Sequence, residues 1–265
     1  GGDYTTVQDA IDDTACDSIT IAAGEYPESL VISRDVTLTG EDVETTLIYY
    51  YLDIGRAVTI DAAGAEVTLA NLTIKAILND DVGGCISNAG DLTLEGVTVL
   101  GCATTTNGGG IYNTGNLTVA GSTIAGNMAA YGGGIYHSAS SLAYTLTVVD
   151  SIIEDNFVDY DGGGIYINSS RTGTDEGALI QNNYADKKGG GIYSGIGASL
   201  AISGSAILTN TSSTTVDYGY GGGIYNGGEM TLSSTLIQGN SSGYEGGGIF
   251  GGGASNTNLD GCQVS

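Results

Sequence analysis

Seven times this chain writes Gly-Gly-(Gly/Cys)-Ile-(Tyr/Ser/Phe), with the isoleucines at Ile86, Ile111, Ile135, Ile165, Ile192, Ile224 and Ile249, spaced 24 to 32 residues apart. A unit of that length cannot bury an apolar face by itself. Stacked on its neighbours, it builds a continuous core. Between copies run alternating segments that close on asparagine: Leu117-Thr118-Val119 to Ile124-Ala125-Gly126-Asn127, Leu146-Thr147-Val148 to Ile153-Glu154-Asp155-Asn156, and Met230-Thr231-Leu232 to Ile237-Gln238-Gly239-Asn240. Alternation with period two is the mark of a strand with one buried face. Glycine reaches 46, phenylalanine appears twice and tryptophan is absent, a composition suited to thin strands and tight turns rather than packed helices.

Residues 4–14 place Val7, Ala10 and Ile11 at helical spacing after threonines that can serve as N-cap, which predicts one short amphipathic helix over the first coil. Period-two segments follow at 18–21, 29–32, 36–38, 46–48, 57–60, 67–69 and 72–74. The expected organisation is one all-β domain over 1–265, a parallel β-helix with a cap at 1–17, N-terminal coils at 18–82 and glycine-repeat coils at 83–265. About ten coils spaced by about 4.8 Å would make a rod about 50 Å long. The repeated isoleucines would form an inward column, and the residues after them, Tyr112, Tyr136, Tyr166, Tyr193, Tyr225 and Phe250, an outward one. Asn127, Asn156, Asn210 and Asn240 would stack at a corner, each amide bonding to the next coil.

Three segments carry a resemblance. The opening Asp3-Tyr-Thr-Thr-Val-Gln-Asp-Ala-Ile11, then Ile19-Thr-Ile-Ala-Ala-Gly-Glu-Tyr26 and Val36-Thr-Leu-Thr-Gly40, resembles the start of right-handed parallel β-helix proteins of the pectin-lyase-like superfamily. The Gly-Gly-Gly-Ile and Ile-x-x-Asn alternation is similar to the repeats of polymorphic outer-membrane proteins and related surface proteins. The resemblance implies a right-handed coil and leaves function open, because this scaffold carries lyases, esterases, hydrolases, adhesins and passive rods.

Charge narrows the partners. Thirty acidic residues against six basic ones give a net charge of −24, so no basic face can neutralise phosphates. Nucleic acid and anionic lipid are poor partners on that ground, and no apolar run reaches the length of a membrane span. The chain opens at Gly1-Gly2-Asp3 without methionine and reads as a mature or trimmed product. Cys16, Cys85, Cys102 and Cys262 contain no Cys-x-x-Cys pair, which argues against zinc. Cys85 with Cys102 is the most local disulfide available in an exported protein. Sequons at Asn71, Asn116, Asn168, Asn210 and Asn240 are glycosylation candidates, although a Ser/Thr-rich repeat with a fixed asparagine generates such triplets by composition.

No catalytic residue is assigned. Gln8-Asp9-Ala10 matches three letters of a pectin-methylesterase-like strand but falls in the cap helix. The basic residues Arg34, Arg56, Lys75, Arg171, Lys187 and Lys188 do not cluster with acidic ones along the sequence, and His137 occupies a slot held by Asn113 and Asn226 in other coils. Acidic pairs at Asp80-Asp81, Glu154-Asp155, Asp159 with Asp161 and Asp175-Glu176 fall at expected corners; Asp155, Asp159 and Asp161, with Asn156, form the candidate calcium site. No cofactor is required, and calcium is the one considered. The tyrosine column and a looser set at Tyr131, Tyr160, Tyr220 and Tyr244 are the candidate binding or assembly surface. Such rows stack sugar rings, bury against another protein, or pack on one another.

The sequence thus points to an extracellular, non-enzymatic structural or adhesive β-helix, a subunit of a cell-surface fibre or adhesin stalk. The alternative is a calcium-dependent, polysaccharide-lyase-like enzyme or glycan-binding module. The last residues, 258–265, fall in mid-repeat, from which self-association end to end or a longer parent chain is expected.

Overall fold

A computed structural model of the chain describes residues 4–51, 55–138, 141, 143–213 and 219–265. Its strands form four parallel sheets along a rod, three of them running from the first coils and the fourth beginning at Leu78. The first sheet has ten strands, from Ser18–Ile21 through Val36–Gly40 to Asn256–Asp260; the second has ten, from Gly24–Tyr26 to Gln263–Val264. The third has nine, from Leu30–Ile32 to Ile249–Gly251, and the fourth has seven two-residue strands, from Leu78–Asn79 to Ser241–Ser242. Each glycine-repeat coil visits the third, first, second and fourth sheets in turn, so each strand pairs with the strand one coil away. The fold is an all-β parallel solenoid.

Register follows the repeat. Ile86 pairs with Ile111, Ile111 with Ile135, and the series continues through Ile165, Ile192, Ile224 and Ile249. All but Ile249 are buried, and they join inward residues of the first and second sheets in one core running from Val7 to Ile237. A one-residue slip in any coil would turn its apolar set to solvent, so burial of one face fixes every register.

The helix is Val7–Asp12, with Val7, Ala10 and Ile11 inward. Thr6 Oγ1 accepts the Asp9 N–H at 3.1 Å as its N-cap. The Glu28 carboxylate takes the Val7 and Gln8 N–H groups, both at 3.0 Å. Arg34 holds the other end, donating to the carbonyls of Ile11, Asp13 and Cys16 at 2.7–3.0 Å. This helix lies over the first strands of the first and third sheets. Among the described residues no helix is long and apolar enough to cross a membrane.

Two acidic pairs differ from their expected place. Glu154 ends the strand Ile152–Glu154, leaving only Asp155 at the corner. Asp175 and Glu176 belong to the strand Thr172–Glu176, not to a corner, and Asp175 points into the core, where the neighbouring coils place Val148 and Ile202. Thr-Gly-Thr-Asp-Glu has no apolar alternation to reveal a strand; only hydrogen bonding to both neighbours makes it one. Cys85 and Cys102 form a disulfide across a Cα–Cα distance of 5.5 Å, whereas Cys16 and Cys262 are free thiols.

Candidate functional site: the aromatic face

The side chain after each repeated isoleucine faces outward because strand residues alternate. Hydrogen bonding in register then sets the rings one coil apart. Tyr112 stacks on Tyr136 with centroids 5.5 Å apart, Tyr136 on Tyr166 at 4.7 Å and Tyr166 on Tyr193 at 4.6 Å. Tyr193 stacks on Tyr225 at 5.1 Å and Tyr225 on Phe250 at 5.5 Å, and the interplanar angles along the whole ladder are 8° to 22°. The glycines before it keep the ladder clear. Gly132 has φ 62°, and a Cβ there would lie 2.8 Å from the Cβ of Tyr136, so neither the backbone conformation nor the space admits a side chain.

The looser tyrosines pack against the ladder's flank. Tyr131 stacks on Tyr160 at 4.8 Å and meets Tyr166 edge-on at 5.7 Å, while Tyr220 lies 4.8 Å from Phe250 and 5.2 Å from Tyr244. Lys187 Nζ sits 4.3 Å from the centre of the Tyr160 ring and Lys188 Nζ 4.9 Å from that of Tyr225. Burial pushes the Tyr166 phenol well above its ordinary range and that of Tyr193 up to about 12; Asp161 adds to both effects. These phenols are therefore neutral donors at physiological pH.

The calcium candidates do not converge. Asp155 and Asp159 face solvent on either side of Phe157 in the chain, and Asp161 is turned toward Lys188, whose ammonium and backbone N–H oppose the upward shift that burial imposes on its carboxyl. The Asn156 carboxamide oxygen is already occupied by the backbone N–H and Nδ2 of Asn127, at 3.0 and 2.9 Å. Among the described residues no group of three or more His, Cys, Asp or Glu side chains could hold a metal ion.

Asn156 belongs instead to the expected interior ladder, which also includes Asn183. Nδ2 of Asn127, Asn156, Asn183 and Asn210 donates to the next asparagine's Oδ1 at 2.9–3.0 Å, ending at Asn240. Asn183 satisfies the same spacing, Ile180-x-x-Asn183, and was legible from it. Asn210 is fully buried in this ladder, so its sequon is closed to modification in the folded chain. Asn71 is exposed, and Asn116, Asn168 and Asn240 are partly exposed. Asn116 donates to Asp91 and Asn168 to Ser138, so Asn71 is the sequon with the freest carboxamide among the described contacts.

His137 extends a second interior ladder. Asn88 donates to Asn113 at 2.7 Å, and Asn113 Nδ2 lies 2.8 Å from His137 Nδ1. An amide donor there requires Nδ1 to be the unprotonated nitrogen. Burial, reinforced by the nearby Arg171 charge, lowers the His137 pKa to about 4. The imidazole is a neutral interior acceptor, a variant of the asparagine it replaces.

Comparison with known proteins agrees with the architecture. Residues 51–183, half of the chain, match the family described as the right-handed β-helix region, and the chain belongs to that family. Residues 177–195 also match the Chlamydia polymorphic membrane protein repeat. Among solved structures, a pectin methylesterase in complex with a hexasaccharide is similar at 13% identity and a TM-score of 0.42, over 95% of this chain and 77% of that one. The A-modules of Azotobacter vinelandii mannuronan C-5 epimerases AlgE4 and AlgE6 are similar at 12% and 14% identity, with TM-scores of 0.36 and 0.35. Each covers 98% of this chain, and 92% and 94% of those chains. No curated protein matches in sequence.

Proposed function

We propose that this chain is a non-enzymatic β-helix of the cell surface that works as a structural or adhesive rod. The observation that carries the reading is the ladder of six stacked rings from Tyr112 to Phe250. Its spacing is imposed by the solenoid backbone, so it presents a partner with a preformed periodic surface and loses little entropy on contact. The short match to a polymorphic membrane protein repeat supports placement outside the cell or at the outer membrane. End-to-end contact with a second copy would occur at the edge made by Asn256–Asp260 and Gln263–Val264, where Leu259 and Val264 are about half exposed; at the opposite end the helix covers the first coil.

Glycan binding is the second reading, favoured by the same ladder, because sugar rings stack on aromatic faces and edges. Light scattering and electron microscopy of the purified chain, with calcium and with chelator, test the first reading. Rods or fibres support it. A calcium-indifferent monomer that also binds no cell surface would overturn it, and glycan arrays with polyuronate cleavage assays on the same material would then separate a binding module from the calcium-dependent enzyme.

A further inference from the structure

A second apolar column runs along the rod on the outer face of the fourth sheet. Leu78 pairs with Ala103, Ala103 with Met128, Met128 with Phe157 and Phe157 with Tyr184, after which the column turns polar at Thr211 and Ser241. Leu78, Met128 and Phe157 are 54%, 52% and 36% exposed, and the Phe157 and Tyr184 rings stack at 5.0 Å and 4°. Three water-facing apolar side chains, aligned in one column with the half-buried Ala103 and Tyr184, whose hydroxyl donates to Asp186 at 2.6 Å, mark a contact surface rather than scattered surface residues.

Carboxylates run beside it. Two residues beyond Leu78, Phe157 and Tyr184 stand Asp80, Asp159 and Asp186, all exposed. The Asp186 N–H bonds to the Val158 carbonyl, which keeps Asp186 in register with Asp159. Side-by-side pairing with a second copy would oppose two chains of charge −24. The charge pattern selects a cationic partner.

The repeat distance selects its conformation. The apolar side chains recur at the coil rise of about 4.8 Å, about 19 Å for the whole stripe. One face of an α-helix repeats about every 5.4 Å, whereas one face of an extended strand repeats about every 6.6 Å. Over four steps a helix drifts out of register by about 2 Å and a strand by about 7 Å.

We propose that this stripe seats a cationic amphipathic helix of a partner protein, with apolar side chains over Leu78, Met128, Phe157 and Tyr184 and lysines or arginines over Asp80, Asp159 and Asp186. This deepens the adhesive reading and rests on it, but its test reads peptide binding and is independent of assembly. A labelled peptide of about four helical turns, leucine on one face and lysine on the flanks, is titrated into the intact chain, a Met128→Ser/Phe157→Ser variant and an Asp159→Asn/Asp186→Asn variant. All four substitutions are on exposed or half-exposed side chains, and circular dichroism melts confirm that the variants fold. Binding weakened about tenfold or more by each double substitution is expected, with added salt weakening wild-type binding. Equal binding by wild type and the Met128→Ser/Phe157→Ser variant, or by a lysine–serine peptide of equal charge, would overturn the proposal. So would a neutral glycan that binds the stripe when the leucine–lysine peptide does not.

Discussion

The Gln8 carboxamide pairs with both backbone groups of Val31: its Oε1 accepts the Val31 N–H at 2.9 Å and its Nε2 donates to the Val31 carbonyl at 3.1 Å. Val31 lies on the edge strand of the third sheet, so one side chain of the cap helix stands in for the missing neighbouring strand. An open edge is a template for aggregation. Gln8→Ala is expected to cost about 1–2 kcal/mol in thermal denaturation and to raise the aggregation rate, and Gln8→Glu, which keeps the acceptor but turns a carboxylate toward the Val31 carbonyl and Asp12 Oδ1, should lose at least as much at neutral pH. Equal melting of Gln8→Ala and wild type would show that the edge does not need this pairing.

The asparagine ladder is a chain of interior donors and acceptors, so removing one link orphans its neighbours. Asn156→Ala leaves the Asn127 amide, the Ile124 carbonyl and Asn183 Oδ1 short of a partner, an expected loss of about 3 kcal/mol. Asn258→Ala on the exposed outer face should change stability by less than about 0.5 kcal/mol. Chemical denaturation of the two variants compares them directly.

Asp175 sets a pH dependence of the sign that burial imposes on a carboxylate, opposite to that of one held by a salt bridge. Burial raises its pKa to about 6, although Ser205 Oγ donates to it. The folded state then holds its proton where the unfolded chain has released it, so stability falls as pH rises from about 4 to about 6 and stays lower above that. His137, held at about 4, contributes in the other sense, losing stability as pH falls below the unfolded value. Asp175→Val, matching Val148 and Ile202 above and below it, should therefore gain about 3 kcal/mol at pH 7.5 relative to wild type and little at pH 4. A pH-independent difference between the two proteins would remove Asp175 as the cause.

Within the ladder, Tyr166→Phe keeps the ring and Tyr166→Ala breaks two stacks. The alanine variant should lose about 1–3 kcal/mol beyond the phenylalanine variant. In an alkaline absorbance titration Tyr166 and Tyr193 should ionise above the ordinary phenol range, because burial opposes the phenolate. A single titration step for all the tyrosines would contradict the stacked arrangement.

Cys85–Cys102 closes a short loop, with a sequence separation of 17. Reduction, or Cys85→Ala with Cys102→Ala, is expected to lower stability by about 3 kcal/mol. Thiol titration of the native, unreduced chain should find Cys16 and Cys262 alone reactive.

The sequence by itself determined the solenoid, the isoleucine column and the aromatic ladder, because these follow from an interval along the chain and from which residues alternate beside it. The Val7–Ile11 spacing likewise specified the helix. Tertiary structure decided what depends on register between coils, which no local pattern encodes. Met128, Phe157 and Tyr184 are 27 or 29 residues apart and become one stripe only when their strands pair. Asp175 reads as a corner residue until hydrogen bonds to both neighbouring coils make its segment a strand, and Asp155, Asp159 and Asp161 read as a cluster until alternation and the Asn156 ladder separate them. The physical reason is common to all: a strand's own residues fix which side chains face in, but the backbone of the next coil fixes which residues become neighbours.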